Sequence, residues 1–213
     1  IPVRVGGFGG STGLARALVD APFDVVVDAT HPFAVNISAN AVAASAAAHR
    51  PLLRLTRSAW IAQAGDRWIE AADMRDAASK LGHAPRRVFL TIGRQEQAPF
   101  VAQPQHRYVI RSVDLPDRSA MPPDAVVIQA RGPFCFDDEF ALLRDYRIEV
   151  VMTKNSGGAA TQAKLEAARA LRIPVVMTAR PPVCAAAEVV EDVGEAVKWL
   201  LDHYETEAAV RGV

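Results

Sequence analysis

The sequence predicts an α/β protein built on buried parallel sheets, and three observations carry that expectation. Short β-branched runs alternate along the chain with Ala- and Leu-rich stretches of helical length. Most of those runs are continuously apolar rather than alternating, which suits strands covered on both faces. Half of the 213 residues are hydrophobic and 23% are charged, enough for an ordinary core.

The elements follow in order. A strand is expected at 2–5 ("PVRV"), running into the glycine-rich turn "VGGFGGSTG" and a helix over 11–19. Ser11 or Thr12 is a natural cap for that helix. The apolar run "DVVVDA" (24–29) is a strand, a helix covers 38–48, and "PLLRL" (51–55) is the next strand. A short helix is expected at 73–81, then strands at 87–92, 107–112 and 125–130. The second part continues with a helix at 137–145, a strand at 149–153, a helix at 159–171 and a strand at 174–178. The last helix, 192–204, carries Val193, Ala196, Val197, Leu200 and Leu201 as a packing stripe. Strand–helix alternation of this kind implies right-handed crossovers and a doubly wound sheet.

A faint internal repeat refines the picture. The stretch 7–32 runs beside 133–158, "HRPLLRLTR" (49–57) beside "RIPVVMTAR" (172–180), and 68–81 beside 188–200. Two Rossmann-like halves with a cleft between them are therefore expected. "GHAPR" reads as the connection, giving an N-terminal cofactor-binding half at 1–83 and a C-terminal half at 84–213. Strands precede "RGPF" in the second half, whereas almost nothing precedes "GGFGG" in the first. By symmetry a strand–helix–strand unit of about 40 residues is expected ahead of it, either preceding this sequence or absent from a genuinely smaller first half.

Composition narrows the function classes. Lys plus Arg and Asp plus Glu both number 24, so the net charge is zero, unlike the basic balance of most nucleic-acid binders. No apolar run approaches the roughly 18 residues of a membrane span, and no signal-peptide pattern opens the chain. A cytoplasmic protein with neither membrane nor nucleic-acid partner is expected. Cys135 and Cys184 are too few for a disulfide framework and lack metal-site spacing, so no metal is expected.

Ligands of open α/β sheets bind outside the carboxyl ends of the strands. Arg57, Arg94, Arg131, Lys154 and Arg180 all stand at such ends, with Arg111 near a sixth. Guanidinium and ammonium groups gathered there imply a large anionic ligand. In "TKNSGGAATQAK" (153–164), Gly157 and Gly158 permit close backbone approach at a helix start, with Lys154, Ser156 and Thr161 as polar partners. Asn155 or Ser156 is equally readable as a simple helix cap. At the matching place in the first half, "DATHPFA" (28–34) offers His31 for proton transfer near neutrality. Asp28 reads either as a ribose-binding acid or as a brace for its loop. The opening glycines satisfy only Gly-X-X-Gly-X-X-Gly, at Gly7, Gly10 and Gly13. The repeat pairs that turn with "RGPF", not with a first fingerprint.

"GGFGG", "DATHPFA", "RGPF" and "KNSGGAATQAK", in this order and spanning nearly the whole chain, resemble the precorrin-6A reductase family of cobalamin biosynthesis. The resemblance implies two Rossmann-like domains and NADPH-dependent reduction of one double bond of a tetrapyrrole, precorrin-6A to precorrin-6B. It places Thr30, His31 and Pro32 by the nicotinamide, with Gly7, Gly9 and Gly10 toward the far end of the cofactor. His31 is then the first candidate for proton donor, with water as the alternative. Substrate carboxylates fall to Arg57, Arg94, Arg131, Lys154, Asn155, Ser156, Gly157, Gly158, Thr161 and Arg180. Family members usually open with a strand and a "GGT"-type turn, which this sequence lacks. Neighbouring enzymes of the same pathway are the expected protein partners. The same cleft and cations would also serve a non-catalytic binder of a large anion, and paired Rossmann-like halves a nucleotide-sugar transferase.

Overall fold

The computed structural model describes residues 3–21, 23–93, 96–182 and 188–211. In chain order the elements are α1 (Gly10–Asp20), β1 (Val26–Asp28), α2 (Val35–Ala47), β2 (Leu52–Leu55), β3 (Trp68–Ala71) and α3 (Met74–Ser79). There follow β4 (Arg87–Thr91), α4 (Ala98–Val101), β5 (Arg107–Ser112), β6 (Ala125–Gln129), α5 (Phe136–Asp145) and β7 (Val150–Lys154). The chain closes with α6 (Ala163–Ala170), β8 (Val175–Thr178), β9 (Glu188–Val190) and α7 (Val193–Arg211). Two compact units result, one of residues 1–58 with 181–213, the other of residues 59–180.

The larger unit holds a six-stranded sheet in the order β3-β8-β7-β4-β5-β6, parallel throughout. Its four central strands, β8, β7, β4 and β5, are buried on both faces, as their unbroken apolar runs require. Val88, Leu90, Tyr108, Ile110, Val150 and Met152 face one layer, packed with Ala77, Ala78 and Leu81 from the α3 region and Phe100 from α4. The alternate residues Phe89, Val109, Val151, Val175 and Met177 face Leu143 of α5 and Leu165, Ala167 and Ala168 of α6. The smaller unit has a parallel sheet ordered β1-β2-β9. Leu18 of α1 and Ala44 of α2 pack on one face with Val26, and Ala196 and Trp199 of α7 on the other with Leu53.

The repeat is written into the hydrogen bonding, with an exchange of strands. β3 follows β2 in the chain but pairs with β8, Trp68 opposite Val175. β9 follows β8 but pairs with β2, Glu188 opposite Leu53. The two junctions match bond for bond. Ala179 N–H donates to Ala71 at 2.8 Å, and Thr56 N–H to Val190 at 2.9 Å. Asp73 Oδ1 accepts from the amides of Arg75 and Asp76, as Asp192 Oδ1 does from those of Gly194 and Glu195. Each aspartate caps the helix that follows the exchanged strand.

Several expectations are corrected. The two units do not part at residue 84, because the exchange carries Trp68–Ala71 into the larger unit and Glu188–Val190 into the smaller. β3 is half-exposed and β9 only three residues long, so neither shows the apolar run of a buried strand. Of the strand expected at 2–5, residues 3–5 are described and form none; Val3 and Val5 lie open to solvent. Ser11 and Thr12 lie inside α1, whose N-cap is Gly9 in the left-handed region at φ 83° with no side-chain cap. The helix expected at 159–171 is a 3-10 turn over Ala159–Thr161 followed by α6, and the cap of that turn is Gly158, not Asn155 or Ser156.

Candidate functional site

In the larger sheet, chain order reverses between β4 and β7. The crevice outside the carboxyl ends at such a switch point is where open α/β sheets take ligands. Lys154, the last residue of β7, pairs across it with Glu96 from the segment after β4.

The turn beyond Lys154 is held by its carbonyls. Trp60 Nε1–H donates to the Gly158 oxygen at 3.2 Å, the Phe134 amide to that of Ala160 at 3.0 Å, and Lys164 Nζ to that of Thr161 at 2.9 Å. Gly157 and Gly158 have φ of 66° and 81°, which an L side chain resists. Their amides make no hydrogen bond among the described residues. Because a trans peptide sets N–H opposite C=O, the Ala159 N–H points away from Trp60. Unbonded amides on a buried and a half-buried glycine, beside a lysine, form a ready carboxylate or phosphate seat.

Asn155 builds this turn. Its Oδ1 accepts from Trp60 N–H at 2.8 Å and its Nδ2 donates to the Trp60 oxygen at 2.9 Å. Arg180 Nε donates to the Asn155 carbonyl at 2.7 Å. "RGPF" lies against the same turn: a Cβ on Gly132 would sit 3.1 Å from the Ala160 oxygen. Beneath, the Arg111 guanidinium pairs with Glu139 and stacks 3.6 Å from the Phe134 ring centroid.

Lys164 Nζ lies 4.9 Å from the Trp60 ring, and the residue is only 3% exposed. Burial, reinforced by Arg111 and opposed by Glu139, pushes its amine down to about 7. Sequence reading passed over Lys164, Trp60 and Glu139. The one available signal was a lone lysine in the small-residue stretch "GGAATQAKLEAARA".

The cations expected at the rim thus divide. Arg131 is exposed at the carboxyl edge of the larger sheet, and Arg57 is exposed beyond β2 in the smaller unit. Lys154 and Arg180 are engaged as described, Ser156 donates its amide back to the Lys154 carbonyl at 2.7 Å, and Arg94 lies outside the described residues, as does Cys184. Arg111 is not a rim cation: at 8% exposure, with its charge met by Glu139, it belongs to the interior.

In the smaller unit Thr30, His31 and Pro32 follow β1. Asp28 is the brace of this loop. Its Oδ1 accepts from the Thr30 amide at 3.0 Å and the Thr30 hydroxyl at 2.6 Å, while Oδ2 stands 3.9 Å from Arg54. Burial alone would raise its carboxyl, but hydrogen bonds with Ser38 and Thr30 and the Arg54 charge together hold it below the ordinary value. Pro32 is buried, and His31 is exposed with Nδ1 accepting the Phe33 amide at 3.2 Å. That bond fixes the tautomer bearing hydrogen on Nε2. In the glycine turn, a Cβ at Gly7, Gly9 or Gly10 would meet nothing within 4 Å, whereas one at Gly13 would lie 1.8 Å from the Phe8 oxygen. The turn is thus seated on α1 through Gly13 and open beside its other glycines.

Comparison with known proteins adds the family. The model of the precorrin-6x reductase CbiJ/CobK family matches residues 1–201. The chain is 50% identical to a precorrin-6A reductase of Rhodococcus erythropolis over 201 residues, covering 93% of this chain and 79% of that protein. It is 45% identical to the precorrin-6A reductase of Rhodobacter capsulatus over 210 residues, 99% and 83% of the respective lengths. A solved structure of CobK precorrin-6A reductase superposes with a TM-score of 0.91 at 46% identity, covering 95% of this chain and 80% of that one. The chain belongs to the precorrin-6x reductase family.

Proposed function

We propose that this protein reduces precorrin-6A to precorrin-6B with NADPH. Family membership carries the activity, that of an oxidoreductase of cobalamin biosynthesis acting on a tetrapyrrole intermediate with a nicotinamide cofactor. The choice of NADPH and the roles of individual residues are our reading of the sites.

The smaller unit suits the cofactor. α1 begins without a side-chain cap, so its first amides are available to an anion, and the space beside Gly7, Gly9 and Gly10 admits close approach. Thr30, His31 and Pro32 border the nicotinamide, on a loop locked by Asp28. When bound, NADPH supplies the hydride. His31, once protonated to the imidazolium and so released from the Phe33 amide, delivers the proton to the neighbouring ring carbon and is left neutral, with water as the alternative donor.

The substrate carries acetate and propionate groups, and the larger unit suits them. The amides of Gly157 and Gly158, Lys154 and Arg131 make an anion seat at the switch point. Asn155, Ser156, Thr161 and Arg180 shape it; Arg57, exposed in the smaller unit, and Arg94, outside the described residues, are further candidates for the substrate's carboxylates. A cytoplasmic location fits a reaction drawing on soluble NADPH, with substrate passed to and from neighbouring pathway enzymes.

The test is direct. Adding precorrin-6A to the protein with NADPH should consume the reduced-nicotinamide absorbance and yield a product two hydrogens heavier. NADH should serve poorly. Absence of turnover with both cofactors would refute the reading, and equal turnover would refute the cofactor choice.

A further inference from the structure

The buried amine of Lys164 has no part in the reaction as described, yet its hydrogen bond to Thr161 and its contact with the Trp60 ring both lead to the anion seat. We propose that Lys164 is a positioning residue for substrate binding, its Nζ–H bond to the Thr161 carbonyl setting the turn at 155–161 so that the turn's amides receive a carboxylate. The proposal rests on the reading that this turn binds the tetrapyrrole's carboxylates.

Three donors hold three carbonyls of the turn: Trp60 on Gly158, Phe134 on Ala160 and Lys164 on Thr161. Of these, only Lys164 brings an ionisable group, in a place where the fold alone has little use for one. Taking an ammonium out of water is costly, and a methionine is an uncharged side chain of similar length that could pack beside Trp60. The charged groups acting on it are Arg111 from β5, which opposes the ammonium, and Glu139 from α5, which favours it. One Glu139 oxygen is spent on Arg111, and Oε2 is buried with no hydrogen-bond partner among the described residues. The amine therefore sits where proton and deproton forms are closely balanced. A carboxylate arriving at the turn tips that balance toward the ammonium, whose hydrogen bond to Thr161 is the stronger form. Substrate binding and proton uptake at Lys164 are linked in this way.

The test compares wild type, Lys164→Met and Lys164→Arg for KM and kcat with precorrin-6A, from about pH 6 to about pH 9. Lys164→Met should raise KM about tenfold, the loss of one charge-assisted bond, with kcat within about twofold. In wild type KM should climb as pH rises through neutrality. Lys164→Arg should restore part of the affinity and flatten the profile, because guanidinium keeps its proton. A Lys164→Met protein with wild-type KM and wild-type pH dependence overturns the proposal. Should that variant not fold, wild type suffices: the chain has four lysines, at 80, 154, 164 and 198. With ε-carbon labelling, one resonance should titrate near neutrality and shift upward in pH when precorrin-6A binds. Four lysines titrating together near their ordinary value overturn it equally. Failure of wild type to bind precorrin-6A would instead sink the functional reading, so the two failures are distinguishable.

Discussion

Replacing Asn155 with alanine separates a substrate ligand from a structural clamp. The side chain makes two bonds to the backbone of Trp60, at 2.8 and 2.9 Å, on a residue only 9% exposed. Were Trp60 open to solvent, water would replace both partners and the loss would be small. Buried, each orphaned group keeps its desolvation cost, and the pair together is worth about 2–4 kcal/mol. For a unit of this size that is a fall in Tm of about 5–15 °C.

Trp60 in turn supplies the Nε1–H on Gly158. Loosening it should therefore raise KM for precorrin-6A as well as lower Tm. Asn155→Asp is the informative control. It keeps an acceptor for the Trp60 amide but sets a carboxylate oxygen against the Trp60 carbonyl, so it should be no better than alanine. Thermal melts followed by circular dichroism, with steady-state kinetics below the transition, provide both readouts. An alanine variant with unchanged Tm and raised KM would refute the clamp and return Asn155 to direct substrate contact.

Gly13→Ala sets two effects against each other: alanine gains about 1 kcal/mol of helix propensity, but its Cβ would fall 1.8 Å from the Phe8 oxygen. The exposed turn should shift rather than the helix unfold, leaving Tm within a few degrees while NADPH affinity, measured by fluorescence titration, drops about tenfold; unchanged affinity would detach the turn from the cofactor. Asp28 has its carboxyl held below the ordinary value, so its contribution is present above about pH 4 and lost as acidification protonates it. Asp28→Asn should flatten the acid limb of a Tm-versus-pH curve and lower activity by loosening Thr30 and His31; a limb as steep as that of wild type would contradict this account. Arg131→Ala, on an exposed residue, should raise KM for precorrin-6A and leave that for NADPH unchanged, and the reverse pattern would reassign the larger unit.

What could be read from the sequence, and what could not, divides by the range of the interaction. Seven of the eight expected strands lie in described sheet, because burial on both faces forces a continuous apolar run and that run is local. β3 and β9 escaped for the opposite reason: each lies at a sheet edge, half-exposed, and its identity comes from a partner more than 100 residues away, Val175 for Trp68 and Leu53 for Glu188. The domain boundary failed with them, since a linear repeat shows which segments correspond but not which copy of the sheet each joins. The anion seat shows the same split. Gly157, Gly158 and Lys154 announce themselves in one short string, whereas the groups that give the string its shape arrive from Trp60, Phe134 and Lys164. Charge alone misled at Arg111, where the residue type signals a ligand and only Glu139, 28 positions on, shows that the charge is already met. A strand-end cation is thus informative about a ligand once its internal partners are known, and by that criterion Arg131 carries more of the substrate-binding argument than Arg111, met by Glu139, or Lys154, met by Glu96.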